Sequence, residues 1–310
     1  MTDTATANFE TTPQPPVDVL TSTRGARRRP APRRTVKEVI FHVVMIAMLC
    51  VALYPVAWMI MSSFKPSEDV VNNVSLIPDP FTFDNYVKAF AGIAGVPFWS
   101  FFRNSLLLAT LSVIGILLSV PMAAYAFARC RFPGRSAFFT IMIGTLLLPF
   151  HVVIIPQYVM YQQAGLVNTY VPLLLGNYLA TDAFFVFLMV QFIRSIPREL
   201  DEAATIDGAG KLRILVQIIL PLLKPVLITA AIFNFIQSWN DFLGPLLYLK
   251  RPDLYPLPIA LRLYVDESTA AADYGAQMAM AVLALLPVLL FFLVFQRYIV
   301  DGMASSGLKG

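Results

Sequence analysis

Six long apolar stretches determine the environment in which this chain can fold. They cover residues 39–64, 101–128, 136–161, 171–193, 214–239 and 277–298, and each is long enough for a helix that spans a bilayer, which needs about 20 residues. Hydrophobic residues make up 57% of the 310-residue chain and charged residues 14%, whereas soluble proteins carry about 25% charged residues. We therefore predict an all-α membrane protein with six transmembrane helices.

Prolines lie inside two of these stretches. Pro149 and Pro156 are in the third, and Pro221 and Pro225 are in the fifth. Neighbouring helices and side chains can satisfy the carbonyl groups that a proline leaves free inside a membrane. We expect kinks at these positions and not breaks.

The basic residues of the connections indicate the orientation of the helices. Lys and Arg cluster before the first stretch, after the second and after the fourth, whereas residues 162–170 carry no charge. Basic residues in short connections favour the cytoplasmic side of a membrane. We predict that both termini are cytoplasmic and that the chain is a multi-pass protein of a bacterial cytoplasmic (inner) membrane.

The first 35 residues differ in composition from the rest. They are rich in Thr, Pro and Arg and have no apolar periodicity, so we predict a disordered cytoplasmic tail over 1–35 and a transmembrane domain over 36–310. The Arg-rich run at 27–34 could bind nucleic acid or serve as a twin-Arg export signal. We interpret it as a positive flank that keeps the N-terminus inside, with no nucleic-acid partner.

Residue types that carry catalysis or bind metals are not grouped along the chain. The two histidines and the two cysteines, Cys50 and Cys130, are far apart, so neither a metal site nor a disulfide is expected. The stretch GMASSG at 302–307 has the glycine spacing of a phosphate-binding loop but lacks the Lys-Ser/Thr that should follow. We predict a non-enzymatic chain that binds no cofactor, so any use of ATP would need another subunit.

Polar side chains inside the apolar stretches are candidates for a substrate path. Ionisable and amide groups are costly in a membrane and often face a pathway. Asp182 is near the middle of the fourth stretch. Two amides in the fifth stretch and one directly after it are spaced three apart, which places them on one helix face. The alternative is hydrogen bonding between helices. The candidates are Asn177, Asp182, Asn234, Gln237 and Asn240.

The positions of charged residues bear on the class of substrate. We expect Lys and Arg to occur within the spans only near the span ends, as Arg103 and Arg297 do. A phosphorylated substrate would favour a basic group in its path. Aromatic residues, among them Tyr178 and Phe233, flank the polar candidates. Together these features favour a neutral, polyhydroxylated substrate.

The stretch DEAATIDGAGKLRILVQIILP, residues 201–221, is a charged interruption between two apolar runs. Acidic residues favour the N-terminal end of a helix, and Gly208 can close it in a left-handed cap. We predict a short helix at about 198–210, which is too short to be stable alone in water and so needs a partner surface. Its predicted contact face is Leu200, Ala203, Ala204 and Asp207.

The pattern Glu202-Ala203-Ala204, Gly208 and Leu220-Pro221 resembles the signature cytoplasmic loop of the membrane subunits of bacterial ATP-binding-cassette (ABC) importers. The stretches RNSLLLA (103–109), AYAFARCRFPGR (124–135), PQYVMYQQAGLVNTY (156–170), WNDFLGPL (239–246) and QRYIVDGMASSGLKG (296–310) match as well. From about residue 36 onward the chain is similar to the sugar-type permeases, in particular to the second permease of maltose-type transporters. The resemblance implies the type I ABC importer permease fold.

The resemblance also implies roles for individual residues. The loop would couple to an ATPase through Glu199, Leu200, Glu202, Ala203, Ala204, Asp207, Gly208, Leu220 and Pro221, with Glu202 facing a basic residue there. The C-terminal tail, through Gly302, Ser305, Ser306, Gly307 and Lys309, would reach into the ATPase dimer. An outer loop would contact a solute-binding protein through Lys250, Arg251, Asp253, Tyr255 and Arg262.

The implied function is ATP-driven import of a mono-, di- or oligosaccharide. The implied partners are a second permease subunit, two ABC ATPases that bind ATP and Mg, and an extracytoplasmic solute-binding protein. One alternative is a glycerol-3-phosphate-type ABC permease. Another is a stand-alone secondary transporter, but such proteins often have internal repeats and ionic pairs within the membrane, and the sequence has neither.

Overall fold

The regular secondary structure of the chain is helical over the residues that the computed structural model describes, 36–265 and 272–307. The predicted tail at 1–35 lies outside these residues. Fifteen α-helices are described: α1 Val36–Ser62, α2 Ser67–Asn72, α3 Asp84–Ala91, α4 Phe98–Arg129, α5 Arg135–Thr145, α6 Phe150–Gln163, α7 Val171–Tyr178, α8 Ala183–Ser195, α9 Glu199–Ile206, α10 Lys211–Ile214, α11 Leu220–Leu222, α12 Lys224–Asn240, α13 Leu243–Tyr248, α14 Leu257–Leu263 and α15 Tyr274–Gly307.

Four described helical segments are long and apolar enough to cross a membrane. They are Glu38–Ser62, Phe98–Arg129, Val171–Ser195 and Tyr274–Gln296, and a bent pair, Lys211–Leu222 with Lys224–Asn240, adds a fifth if it forms one span. The prediction of an all-α membrane protein is thus supported, with four to five candidate spans in the described ranges.

The third predicted stretch contains a break and not a kink. Helix α5 ends at Thr145, and α6 begins at Phe150 after Pro149, whose backbone is extended. The residue before a proline is biased away from helical conformation, which explains why the helix stops here. Pro156, in contrast, lies inside α6 without ending it.

The fifth predicted stretch is bent by 78° at Leu223, between α11 and α12. A π-helical turn, Leu215–Ile219, precedes Pro221, and its hydrogen bonds run from N–H to the carbonyl five residues earlier, as from Leu220 to Leu215. Proline supplies no N–H, and π turns are common at functional positions in helices. The expectation of simple kinks was therefore wrong at Leu223 as well.

The chain forms two compact units, with the division after Ala52. Of the first unit only the beginning of α1 is described, and its apolar side chains from Val39 to Val51 are mostly exposed. In the second unit one core joins α4 and α8 to the segment from Ile214 to Ala230. A second core joins α4 and the end of α12 to α14 and α15.

Candidate functional site

Helix α9 is the short helix that the charged loop predicted, and it has a well-defined end. It covers eight residues, Glu199–Ile206, and is shorter than the predicted 198–210. The N–H of Ala209 donates to the Ala204 carbonyl at 2.9 Å, and the N–H of Gly208 donates to the Thr205 carbonyl at 3.0 Å. These two bonds are the Schellman motif. Gly208 has φ of 81°, which confirms the predicted left-handed cap.

The exposed face of α9 differs from the predicted contact face. Ala204 is partly buried and packs against the chain's own core, so it does not share a free face with Leu200 and Ala203. Glu202 and Ala203 are exposed, and the Ile206 side chain is 87% exposed. An isoleucine this exposed at the end of a short helix was not among the predicted residues, although it follows Glu202 by four positions and thus lies on the same side.

Asp201 and Arg129 form a largely buried ion pair that connects α9 to α4. Arg129 Nε lies 3.0 Å from Asp201 Oδ2, and the two side chains are 6% and 17% exposed. Arg129 Nη2 also donates to the carbonyl oxygens of Ile193 and Ile196, at 3.0 and 2.6 Å. In the sequence, Arg129 belongs to the basic cluster after the second apolar stretch, and no local pattern connects it to Asp201.

Two of the predicted path residues meet inside the bundle. Asn234 of α12, which is 5% exposed, places its Nδ2 3.5 Å from Asn177 Oδ1 on α7. Ser119 of α4 donates to the Asn177 carbonyl at 2.6 Å. A Cβ at Gly115 would lie 2.8 Å from the Tyr178 ring, so α4 and α7 approach closely. This contact is of the interhelical kind that was the alternative to a path.

The other predicted path residues lie elsewhere. Gln237 and Asn240 are exposed, and Asn240 Nδ2 donates to the Ile236 carbonyl at 2.8 Å. Residues three apart drift round a helix by about 60° at each step, so Asn234 turns inward while Asn240 turns outward. Asp182 is not in the middle of a helix: it is the N-cap of α8, and its carboxylate accepts from the N–H groups of Phe184 and Phe185.

An exposed face of α12 combines amides with an aromatic ring. Phe233, Gln237 and Asn240 are all exposed, and their spacing of four and then three residues places them on one side of the helix. This set replaces the predicted stripe that began at Asn234.

Lys224 contradicts the expectation that basic residues lie only near the ends of the spans. It is the first residue of α12, directly after the bend at Leu223, and its side chain is exposed. A cavity of about 400 Å³ lies beside it, lined otherwise by apolar residues of α4, the π turn, α11 and α12. Lys224 lies inside the fifth apolar stretch, so the sequence alone already contradicts the expectation.

The predicted binding-protein loop is ordered by contacts with α4. Asn104 donates to the carbonyl oxygens of Asp253 and Tyr255, at 2.7 and 3.1 Å, and Ser105 Oγ accepts from the Leu257 N–H at 2.8 Å. Asn104 and Ser105 were not predicted as site residues, although two adjacent polar residues in an apolar span could have indicated a contact.

The side chains proposed to contact a binding protein differ in exposure. Lys250, Arg251, Asp253 and Arg262 are exposed, and Arg251 forms a bidentate pair with Asp253, at 3.0 and 2.6 Å. Tyr255 is only partly exposed, and its hydroxyl donates to the Lys250 carbonyl at 3.2 Å. The Tyr255 side chain therefore stabilises its own loop.

A charged cluster lies at the start of α15, beside this loop. Lys88 Nζ lies 2.9 Å from Asp273 Oδ2, and Ser67 Oγ donates to the same carboxylate. Burial opposes ionisation of Asp273, but the bonds from Ser67, the Ala276 N–H and Lys88 outweigh it and hold its pKa below the usual range. Burial first, and the Asp273 charge second, raise the pKa of Tyr264 to about 12.

The C-terminal residues to which the resemblance gives a contact with the ATPase dimer are helical, because the backbone continues as α15 through Gly307. Gly302, Ser305, Ser306 and Gly307 belong to its last turns, while Lys309 lies outside the described residues. A glycine inside a helix costs only about 1 kcal/mol, which neighbouring helix formers such as Ala304 can offset.

Comparison with known proteins defines the class of the chain. Residues 113–305 match the family "Binding-protein-dependent transport system inner membrane component". The chain is 34% identical to the diacetylchitobiose uptake system permease protein NgcG of Streptomyces coelicolor, over 86% of this chain and 87% of the relative. It is 32% identical to the sn-glycerol-3-phosphate transport system permease protein UgpE of Brucella abortus, over 88% and 98%.

A solved structure agrees with this classification. A chain in the crystal structure of a bacterial ABC transporter involved in the import of the acidic polysaccharide alginate has a TM-score of 0.72 and 26% identity, and the match covers 86% of this chain and 99% of that chain. The protein therefore has the type I ABC importer permease fold. It belongs to the family of binding-protein-dependent transport system inner membrane components, and it is the membrane-embedded permease subunit of an ABC importer.

Proposed function

We propose that this permease passes a neutral sugar, from mono- to oligosaccharide, across a bacterial cytoplasmic membrane. It pairs with a second permease subunit, and two ATPase subunits that bind ATP and Mg dock below it. A solute-binding protein delivers the sugar from outside, and this chain itself is not catalytic. Both termini are cytoplasmic, and six spans form when α5 with α6 counts as the third and the bent segment as the fifth.

The observation that carries the sugar proposal is the exposed face of α12. Amides can both donate to and accept from hydroxyl groups, and the exposed ring of Phe233 offers an apolar surface beside Gln237 and Asn240. These three residues are uncharged, so a neutral polyhydroxylated solute can exchange bonds with water for bonds with the amides without removing a charge from water. The relative that takes up diacetylchitobiose supports the same substrate class.

Docking of an ATPase is supported by the shape of α9. The helix buries none of its residues, and eight residues are too few for a helix to be stable alone in water. Its outward side offers the Glu202 carboxylate, the small Ala203 and the apolar Ile206. A cleft with a basic residue would bury the Ile206 side chain and form a charge-assisted hydrogen bond with Glu202.

An anionic substrate is the second candidate, and Lys224 favours it. A basic side chain within a membrane-spanning segment usually serves a pathway, and the relative named for glycerol 3-phosphate is similarly close in sequence. Lys224 precedes Phe233 by nine residues, which is about half a turn round the helix axis. We therefore place the lysine outside the sugar path on the opposite side of α12.

Substitution at Gln237 tests the sugar proposal. In vesicles that hold the whole transporter, we expect Gln237→Leu to lower uptake of the neutral sugar by about tenfold, because one hydrogen bond contributes about 1 kcal/mol and a buried unpaired hydroxyl adds to the loss. Radiolabelled uptake of a neutral oligosaccharide, glycerol 3-phosphate and an oligouronate is measured in parallel.

Lys224→Gln is the second arm of this experiment. Uptake of the neutral sugar should stay within about twofold of wild type, since we place Lys224 outside the path. Lys211→Gln, at the exposed start of α10, controls for the loss of one positive charge. Transport of glycerol 3-phosphate or the oligouronate by wild type, with loss on Lys224→Gln, would overturn the neutral-sugar proposal and support the second candidate.

A further inference from the structure

We infer that Arg129 is a positioning residue that joins α9 to α4 and α8, so that movement of the docked helix enters the membrane through these two helices. The inference rests on the proposed docking of an ATPase at α9. It adds Arg129 and Asp201 to the coupling residues that the resemblance implies, among which are Gly208, Leu220 and Pro221.

The first support is that the Arg129 side chain, which belongs to α4, contacts two further helices. Arg129 is the last residue of α4, its Nε lies 3.0 Å from Asp201 of α9, and its Nη2 donates to Ile193 and Ile196 at the end of α8. The guanidinium group has five N–H donors in a rigid planar arrangement, so it can hold a carboxylate and two carbonyl groups at once. The last carbonyls of a helix also carry partial negative charge, which favours a cation.

The second support is that the side chains of α9 make few other contacts with the rest of the chain. None of its residues is buried, and its apolar contact with the core is made by the single methyl group of Ala204. The pair with Asp201 is largely shielded from water, so screening by solvent and salt weakens it less than an exposed pair. Among the described residues, this is the ion pair that joins α9 to the rest of the chain.

The third support is the path that lies beyond Arg129. Helices α4 and α8 share a core whose members include Ile116, Phe185 and Met189, all fully buried. The alternative route, through Gly208 and α10, reaches a π turn and a 78° bend before α12. Packed helices move as rigid bodies, whereas an irregular turn can absorb a displacement. The contacts of Arg129 therefore transmit a displacement of α9 into the membrane more directly than the route through Gly208 and α10 does.

The test uses the complete transporter, purified with its ATPases and reconstituted in vesicles. The readouts are co-purification of the ATPases, basal ATP hydrolysis, thermal unfolding, and stimulation of hydrolysis by the solute-binding protein purified with its natural cargo. The variants are Arg129→Gln, Asp201→Asn and the double variant. Arg131→Gln is the matched control, because Arg131 is exposed and carries the same charge two residues further on.

For Arg129→Gln we expect the complex to assemble and basal hydrolysis to persist, while stimulation falls about tenfold, within the range of typical coupling between sites. Arg131→Gln should keep normal stimulation. In the double variant no buried charge is left unpaired, so the unfolding temperature should return toward wild type while stimulation stays lost.

Two results would overturn the inference. One is normal stimulation in Arg129→Gln. The other is a double variant that regains stimulation together with stability, because the pair would then serve stability alone. Failure of the wild-type chain to co-purify with ATPases would instead count against the proposed docking, so the two failures are distinguishable.

Discussion

Glu202→Lys should abolish uptake, by about 100-fold or more, while the variant still inserts into the membrane. Glu202 is exposed on α9, and a hydrogen bond to a charged group contributes about 1.5–3 kcal/mol. Reversing the charge removes that bond and adds repulsion from the basic residue that we propose in the ATPase. Loss of ATPase co-purification from detergent, with normal amounts of permease in the membrane, is the expected measurement.

The control for this substitution is Glu68→Lys. Glu68 is also an exposed acid in the first turn of a short helix, α2, so the change of net charge and of helix-end electrostatics is the same. We expect Glu68→Lys to keep ATPase association. Normal uptake by Glu202→Lys would contradict the docking proposal, and equal loss in both variants would show that net charge and not docking is responsible.

Gly208→Val should uncouple ATP hydrolysis from uptake. Gly208 ends α9 with φ of 81°, a conformation that costs a residue with a Cβ about 1–2 kcal/mol and is a true outlier for a β-branched residue. The Schellman bonds from Gly208 and Ala209 should weaken, and α9 should lose its fixed end. We expect the ATP hydrolysed per sugar transported to rise by about tenfold, measured in sealed vesicles.

Gly210→Val provides a matched control two residues further along. Gly210 has an ordinary φ of −73°, and a Cβ at either glycine would meet no atom within 4 Å. The two substitutions therefore add the same side chain in open space and differ mainly in backbone strain. Unchanged coupling in Gly208→Val, or the same loss in Gly210→Val, would contradict the role of the left-handed cap.

Patterns of neighbouring residues were sufficient to predict part of the candidate site. The helix over Glu199–Ile206 and the left-handed Gly208 follow from charge at a helix start and from the freedom of glycine, and both are found in the structure. Apolar length was sufficient to predict an all-α membrane protein. These features depend on residues that are close along the chain, so the sequence contains the information directly.

Features that depend on distant residues were not predictable in this way. The pairing of Arg129 with Asp201 joins residues that are far apart along the chain, and the pattern gave no reason to connect them. Asn234 and Ala204 face the interior because each contacts a neighbouring part of the fold that is distant along the chain. The break before Phe150 and the bend at Leu223 depend on which hydrogen bonds the backbone groups near each proline form. Composition does not determine these bonds.

The most direct test of ATPase coupling through α9 is cross-linking from its exposed end. A photoreactive benzoyl-phenylalanine is placed at Ile206, which is 87% exposed, and for comparison at Ile77, which is 75% exposed and lies in the connection between α2 and α3. After illumination of membranes that contain the whole transporter, an adduct between this permease and the ATPase should form from position 206 and not from position 77. Absence of an ATPase adduct at 206, or equal adducts from both positions, would contradict the coupling of this chain through α9.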